Sequence, residues 1–328
     1  TFAPLTQLEQ MVMPASLKSV EKGLLEHSKK LRYIDFLQCE ESADLMDSLR
    51  YAAHTVLGLD ERMTLLYMPA AYDNVGEDNV VVQKGGKLQC EKYWLIDSLD
   101  YMVPYEFETV QIENTRKLPQ KIETPVTVCL PYAMEVPDGV TAYKLSQRAA
   151  NTLVFKELAE NEEMEALHPY LLMTDLSKPN AATGDVSLSS FRQFAAQTIP
   201  ASAGLRMEQD DAPGYSIRGT LKAIGNKDAA DLGAYILQSD GGWHPVRTSN
   251  TKAAILPYRA YLLPSARNAA ARISMTLTDA NDETTTIDSI QSIGRDGTTR
   301  TYDLQGREID SAGAKGVVIK NGRKVVEK

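Results

Sequence analysis

Apolar residues first recur along this chain as short alternating pairs. Met11 and Met13, Ile34 and Phe36, and Leu66 and Met68 each stand two positions apart, so each pair lies on one face of an extended segment. Leu8 aligns with Leu31, Met11 with Ile34 and Met13 with Phe36, a step of 23 residues. The third copy, Met63-Thr64-Leu65-Leu66-Tyr67-Met68-Pro69, repeats the proline that follows the first, Met13-Pro14. Between the first two copies, Leu17, Val20 and Leu24 predict an irregular or short helical return. Between the second and third, Leu45, Leu49, Ala52, Ala53 and Val56 fall at helical spacing over Asp44 to Gly58. Ser42 or Asp44 can N-cap that helix, and Gly58 supplies its stop. The pattern predicts parallel, adjacent strands with Met11 beside Ile34.

From Asn79 the chain becomes strand-rich. Val80–Val82, Tyr93–Ile96 and the alternating Tyr105, Phe107, Thr109, Gln111 run between turn signals such as Gly85-Gly86. Further short runs follow at Val126–Pro131, Ala142–Leu145, Thr152–Phe155, Tyr170–Met173, Tyr215–Gly219, Ala234–Leu237 and Tyr258–Leu262. Short strands at this spacing, with no long helix between them, predict an antiparallel sandwich or barrel. A polar stretch from Thr278 to Thr286 reads as a linker. Beyond it, Val317-Val318-Ile319 and Lys324-Val325-Val326 flank Asn321-Gly322, whose type I′ turn chemistry predicts a two-residue hairpin that docks on Thr301–Leu304 or on the sandwich. The fold class is therefore mainly β with a small α contribution.

A strand plus a return of ~20–29 residues is leucine-rich-repeat spacing. Leu8-x-x-Met11-x-Met13-Pro14-x-x-Leu17-x-x-Val20, followed by Leu31-x-x-Ile34, resembles the repeat unit of BspA-like leucine-rich-repeat surface proteins of Bacteroidales bacteria. Leu24-Leu25 stands where that unit carries Ala-Phe, and Ser28 where it carries Cys. The runs Thr127–Tyr132, Pro137–Tyr143, Leu167–Leu172 and Leu256–Leu262 resemble the β-domain that follows the repeats in such proteins. The ending Tyr302-Asp303-Leu304-x-Gly306-Arg307 … Lys315-Gly316 … Asn321-Gly322-x-Lys324-Val325-Val326 is similar to the C-terminal module of exported Bacteroidetes proteins, including sorting domains read by the type IX secretion system.

These resemblances imply three parts: a leucine-rich-repeat-like end at 1–100, a β-sandwich or barrel at 101–283 and a β module at 284–328. They imply an extracellular or outer-surface protein, with a signal peptide expected upstream of Thr1 and further repeats expected before it. The implied function is non-catalytic binding or adhesion to a host or neighbouring-cell macromolecule, an extracellular protein or glycan. The alternative is a glycan-binding module or glycan-acting hydrolase.

Composition narrows the rest. The 328 residues are 43% hydrophobic and 24% charged, which is ordinary globular chemistry. A net charge of −9 argues against nucleic acid as main partner, because phosphate neutralisation needs clustered cations. Residues 284–328 are slightly basic, with eight Lys or Arg against six Asp or Glu. No apolar run reaches the ~18–20 residues of a membrane helix. Cys39, Cys90 and Cys129 are too far apart for a zinc or disulfide framework and read as small buried hydrophobes. His27, His54, His168 and His244 do not cluster by spacing, and no cofactor or metal set is implied.

Candidate chemistry is sparse. The acidic run Glu157, Glu160, Glu162, Glu163, Glu165 reads as a solvated connection rather than a glycosidase pair. Cys129 and His168 are a nominal nucleophile pair, but a thiol in an apolar strand resists ionisation, and no nucleophile motif is present, which leans away from an enzyme. Trp243 with Tyr235, Tyr258 and Tyr261 is the candidate ligand platform, set against the alternative that these rings are core or cross-strand pairs.

Overall fold

Parallel pairing starts the molecule. In the computed structural model, which describes residues 5–39, 43–50, 52–74, 76–117, 125–149, 152–174, 185–265 and 272–280 plus the backbone of four strands between 301 and 327, β1 (Gln10–Val12), β2 (Tyr33–Asp35) and β3 (Leu65–Met68) lie side by side. Met11 sits opposite Ile34, and Ile34 opposite Leu66, both in parallel register. β4 (Val80–Lys84) continues this parallel order, and β5 (Lys87–Trp94) folds back on it through the Gly85-Gly86 turn.

The helical stretch expected between β2 and β3 forms two short helices, α1 (Ala43–Leu49) and α2 (Ala53–Leu57). Leu45, Leu49, Ala53 and Leu57 keep four-residue spacing across both and are fully buried. The break has a local cause. A continuous helix would send the Ala53 N–H to the Leu49 carbonyl, but Ala53 and His54 donate instead to the Glu77 carboxylate, at 3.0 and 2.9 Å. The Leu49 carbonyl accepts the Ala52 N–H at 3.4 Å and the Tyr72 hydroxyl at 3.3 Å instead. Asp44 lies within the first turn of α1, and Ser42 lies outside the described residues. Gly58 ends α2 at φ 79°, the left-handed conformation expected of it. A Cβ at Gly58 would stand 2.8 Å from Glu26 Cβ and 3.0 Å from its Cα. Gly58→Ala is therefore expected to lose at least ~1–2 kcal/mol, from backbone strain before any clash, read as a lowered denaturant midpoint.

The first sheet does not stop at residue 100. β6 (Phe107–Glu113) pairs in parallel with β5, Gln89 opposite Glu108 and Trp94 opposite Glu113. β7 (Thr115–Lys117) follows directly. The chain then forms β8 (Val126–Cys129), β9 (Val140–Ala149), β10 (Thr152–Glu157) and β11 (Pro169–Thr174). β12 (Asp185–Ser187) pairs back on β7, and β13 (Ser190–Phe191) and β14 (Gln197–Ile199) both return to β6, completing an eight-stranded sheet.

The remaining strands are β15 (Gln209–Ala212), β16 (Tyr215–Thr220), β17 (Tyr235–Leu237), β18 (Trp243–Pro245), β19 (Arg259–Pro264) and β20 (Ser274–Thr278), with the short helix α3 (Asn226–Asp231) before β17. They complete two five-stranded sheets, ordered β20-β10-β9-β11-β8 and β15-β16-β19-β17-β18. The second is antiparallel, as expected. The first is mixed, because β20 joins β10 in parallel, Leu153 opposite Met275.

Three sheets stack, and the middle one is buried on both faces. Ala142, Tyr170 and Leu172 point into a core shared with Leu65, Tyr67, Val81 and Phe107 of the eight-stranded sheet. Their chain neighbours Tyr143, Leu171 and Met173 point the other way, into a core shared with Ile217, Trp243 and Leu262 of the outer sheet. Two-sided burial explains why β11 is a continuous apolar run, Tyr170-Leu171-Leu172-Met173, rather than an alternating one. The far face of the eight-stranded sheet is covered by α1, α2 and the returns, through Leu25, Phe36, Leu45 and Met68. Arg259 at the head of β19 clamps Asp97 after β5 with two 2.7 Å hydrogen bonds, tying the outer sheet to the first.

In the C-terminal part, β21 (Thr301–Tyr302), β22 (Glu308–Ile309), β23 (Gly316–Lys320) and β24 (Arg323–Glu327) form a four-stranded sheet. β23 and β24 pair with Val318 opposite Val325 and Lys320 opposite Arg323, leaving a two-residue connection. Asn321 and Gly322, on which the turn expectation rests, lie outside the described residues. β21 pairs with β23, Tyr302 opposite Ile319.

Candidate functional site: an acidic furrow

Two sizeable concavities adjoin one another beside the middle sheet. They measure about 510 and 680 Å³ and share Glu135, Val136 and Glu163 as a common wall. Three connections build them: Met134–Asp138 between β8 and β9, Glu157–Glu163 between β10 and β11, and Ser187–Arg192 across β12 and β13. Met134 and Met164 exchange backbone hydrogen bonds of 3.0 and 2.8 Å, which hold the first two connections together. Asn161, at φ 66°, turns the second connection tightly enough to bring Glu160 and Glu162 to the same hollow.

The furrow is strongly acidic. Glu135, Asp138, Glu157, Glu160, Glu162, Glu163 and Asp279 line it, and Arg192 is the cation among the lining residues. Arg192 Nη2 donates to Glu163 Oε2 at 2.6 Å across the shared wall. Glu162 accepts from Lys144 and from the Ala159 N–H; the Lys144 hydrogen bond, more than the opposing burial, holds its carboxyl below the usual range. Phe191 forms part of the rim at 66% exposure, and Phe194, three residues on, is 94% exposed. Neither side chain is packed into a core.

No family model, curated protein or solved structure matches this chain.

The four rings expected to form a platform are placed elsewhere. Trp243, Tyr258, Tyr235 and Tyr261 are 0, 2, 3 and 9% exposed, and they belong to three different cores. Trp243 stacks on Phe155 at 6.1 Å between the middle and outer sheets, and Tyr258 packs against the eight-stranded sheet's core. Tyr235, Trp243 and Tyr261 are core rings because both faces of the outer sheet that carries them are covered, and Tyr258 is turned inward from the residue just before β19. They offer no face to a ligand.

The sulfur and imidazole candidates separate similarly. All three cysteines are buried and free, and burial pushes the Cys129 thiol far up. Its sulfur is seated on Gly219, where an added Cβ would come within 2.2 Å of it. His168 turns to Asp210, Nε2 to Oδ1 at 2.8 Å, rather than to Cys129. His54 is buried between the Glu77 carboxylate and the Thr64 carbonyl. No group of three or more His, Cys, Asp or Glu residues suited to a metal is present among the described residues. No helix among them is long and apolar enough to cross a membrane.

Glu157 to Glu165 were legible as a solvated acidic connection, and Glu160 and Glu165 are indeed exposed. What the sequence concealed is the other wall. Ser187 to Arg192 reach the furrow from some 30 residues further along the chain, and nothing in their local pattern announces it.

Proposed function

We propose that this protein is a non-catalytic extracellular binding module that takes a basic segment of a partner protein in its acidic furrow. The carrying observation is the convergence of seven carboxylates from separate segments on one furrow lined by a single arginine and rimmed by exposed phenylalanine. Such a surface attracts cationic side chains at long range and gives them apolar contact at the rim. The placement at the cell surface, the BspA-like repeat reading and the adhesive role rest on the sequence resemblances. The parallel register of β1, β2 and β3, at steps of 23 and 32 residues between Met11, Ile34 and Leu66, supports the repeat reading.

The test is a pull-down of surface and matrix proteins alongside a glycan array, with furrow variants as controls. A captured protein is expected to be basic and to bind less tightly as salt rises. Glu135→Lys combined with Phe191→Ser is expected to weaken that binding at least tenfold while leaving the thermal midpoint near wild type, because both changes lie at the exposed wall. Undiminished binding in the double variant would remove the furrow from the reading. Selective capture of neutral glycans instead would favour the glycan alternative.

A further inference from the structure

Two arginines that make no ion pair among the described residues line one small cavity at the end of the parallel strands. Arg32 immediately precedes β2 and Arg62 lies in the turn before β3, so successive turns of the chain deliver both to the same place. The cavity holds about 40 Å³. Trp94, at the end of β5, forms one wall and is fixed from several sides. Its Nε1 donates to Asp78 Oδ2 at 2.6 Å, its backbone N–H donates to Asn79 Oδ1 at 2.7 Å, and the Arg62 guanidinium stands 4.5 Å over its ring.

Among the described residues no acceptor reaches the buried Arg32 donor in this cavity. Arg32 Nη1 is buried with no hydrogen-bond partner. Burial pulls the Arg32 pKa below its ordinary value, and the negative charges of Glu9 and Asp100 act against that shift without cancelling it. Asp100 is the one carboxylate in the lining, and its Oδ1 already accepts the Ala223 N–H at 2.8 Å. The nearby Lys92 is occupied by Asp78 at 3.0 Å. In a chain with 44 acidic and 35 basic side chains, two adjacent arginines are not left unpaired for want of carboxylates. An unsatisfied buried donor is costly, and an incoming acceptor recovers that cost.

Size and lining specify the acceptor. One water needs roughly 10–15 Å³ of such space, so this cavity admits about three heavy atoms, the size of a carboxylate group. The guanidinium fork matches a carboxylate's two oxygens. Ile96, Leu99 and Met102 supply an apolar collar suited to the methylene carbons behind it, and the exposed Arg62 and Asp100 leave a solvent-facing side. We propose that the Arg32–Arg62–Trp94 cavity binds the side-chain carboxylate of an acidic residue in a partner peptide. This site is separate from the furrow and stands or falls without it.

Trp94 is the reporter, because the other tryptophan, Trp243, is fully buried in a different core. The full chain is titrated with N-acetylglutamate α-amide while tryptophan fluorescence is followed. A saturable change is expected, absent with N-acetylglutamine amide and with sodium chloride at equal ionic strength. Arg32→Gln is expected to weaken it at least tenfold. Arg62→Gln, at an exposed position that does not threaten folding, is expected to weaken it as well. Equal responses to salt, responses unchanged in both variants, or no saturable change (a cavity holding water only) would each overturn the proposal. Binding of glucuronate without N-acetylglutamate α-amide would overturn the peptide assignment.

Discussion

Trp243→Ala is expected to remove ~3–5 kcal/mol of stability, among the largest effects of any single truncation in this protein. Trp243 is wholly buried where the middle and outer five-stranded sheets meet, with its ring stacked on Phe155 at an interplanar angle of 13°. Its backbone exchanges hydrogen bonds of 3.0 and 2.9 Å with Ile273, so the main chain cannot collapse into the space the indole leaves. Neighbours from both sheets, among them Leu153, Ile217 and Leu262, lose contact at once. Trp243→Phe is expected to cost less, because it keeps an aromatic ring against Phe155 and removes an indole N–H that has no hydrogen-bond partner. Denaturant unfolding measures both, with the midpoint falling and the slope unchanged. Equal losses for the two variants would mean that the void is not what destabilises. A loss under ~1 kcal/mol for Trp243→Ala would mean that the two sheets are not locked through this ring.

The burial of Trp243 shows where sequence reading of this chain succeeds and where it stops. The β1–β3 register was legible because it is written in a local repeat: the same Leu-x-x-apolar spacing recurs 23 residues on, and equivalent residues stack. Gly58 was legible because a helix stop with left-handed geometry is a property of one residue. The break between α1 and α2 was not, because its cause is the Glu77 carboxylate, which arrives from beyond β3 to cap amides that the helical pattern assigns elsewhere. Most of the longer strands from 126 onward were legible one by one, but β12 to β15 and β20 were not, and neither was the layering. A run such as Tyr170–Met173 is equally apolar whether one or two sheets cover it, and the parallel union of β10 with β20 joins residues more than a hundred apart. For that reason the aromatic residues were open to two readings, exposed platform or core. Alternation assigns Tyr235, Tyr261 and Trp243 to faces, but only tertiary packing closes them: the middle sheet covers Tyr235 and Trp243, and α3 with the segment after β18 covers Tyr261. The furrow follows the same logic. Its acidic wall is contiguous in sequence and visible, whereas its serine and phenylalanine wall is assembled by β12 and β13 returning to earlier strands.

Glu77→Ala is expected to cost ~3–5 kcal/mol at neutral pH, because it strands several donors at once inside the helical layer. The Glu77 carboxylate is 11% exposed. It accepts from the Ala53 and His54 backbone amides, from His54 Nδ1 at 3.2 Å and from the Tyr72 hydroxyl at 3.2 Å. His54 Nε2 faces the Thr64 carbonyl at 2.8 Å, so the imidazole ties Glu77 to the residue just before β3. Burial alone would raise the Glu77 pKa. The hydrogen bonds and charge of His54, with the two backbone amides, outweigh it and hold the carboxyl below its ordinary range. Burial first, and then the Glu77 carboxylate, push the Tyr72 hydroxyl far up, so it remains a donor. The sign of the pH effect follows. A carboxyl whose pKa is depressed on folding contributes stability that is fully present above its unfolded value of ~4.3 and is lost as pH falls through its lower folded value. Glu77→Gln keeps the shape but has no carboxyl to protonate. The stability gap between wild type and Glu77→Gln is therefore expected to be full at pH 7 and to narrow as pH drops below ~4. Denaturant midpoints of the two proteins across pH 3–7 measure it. A gap that stays constant down to pH 3 would show that the Glu77 charge contributes nothing, and that a neutral acceptor holds α2 to β3 equally well.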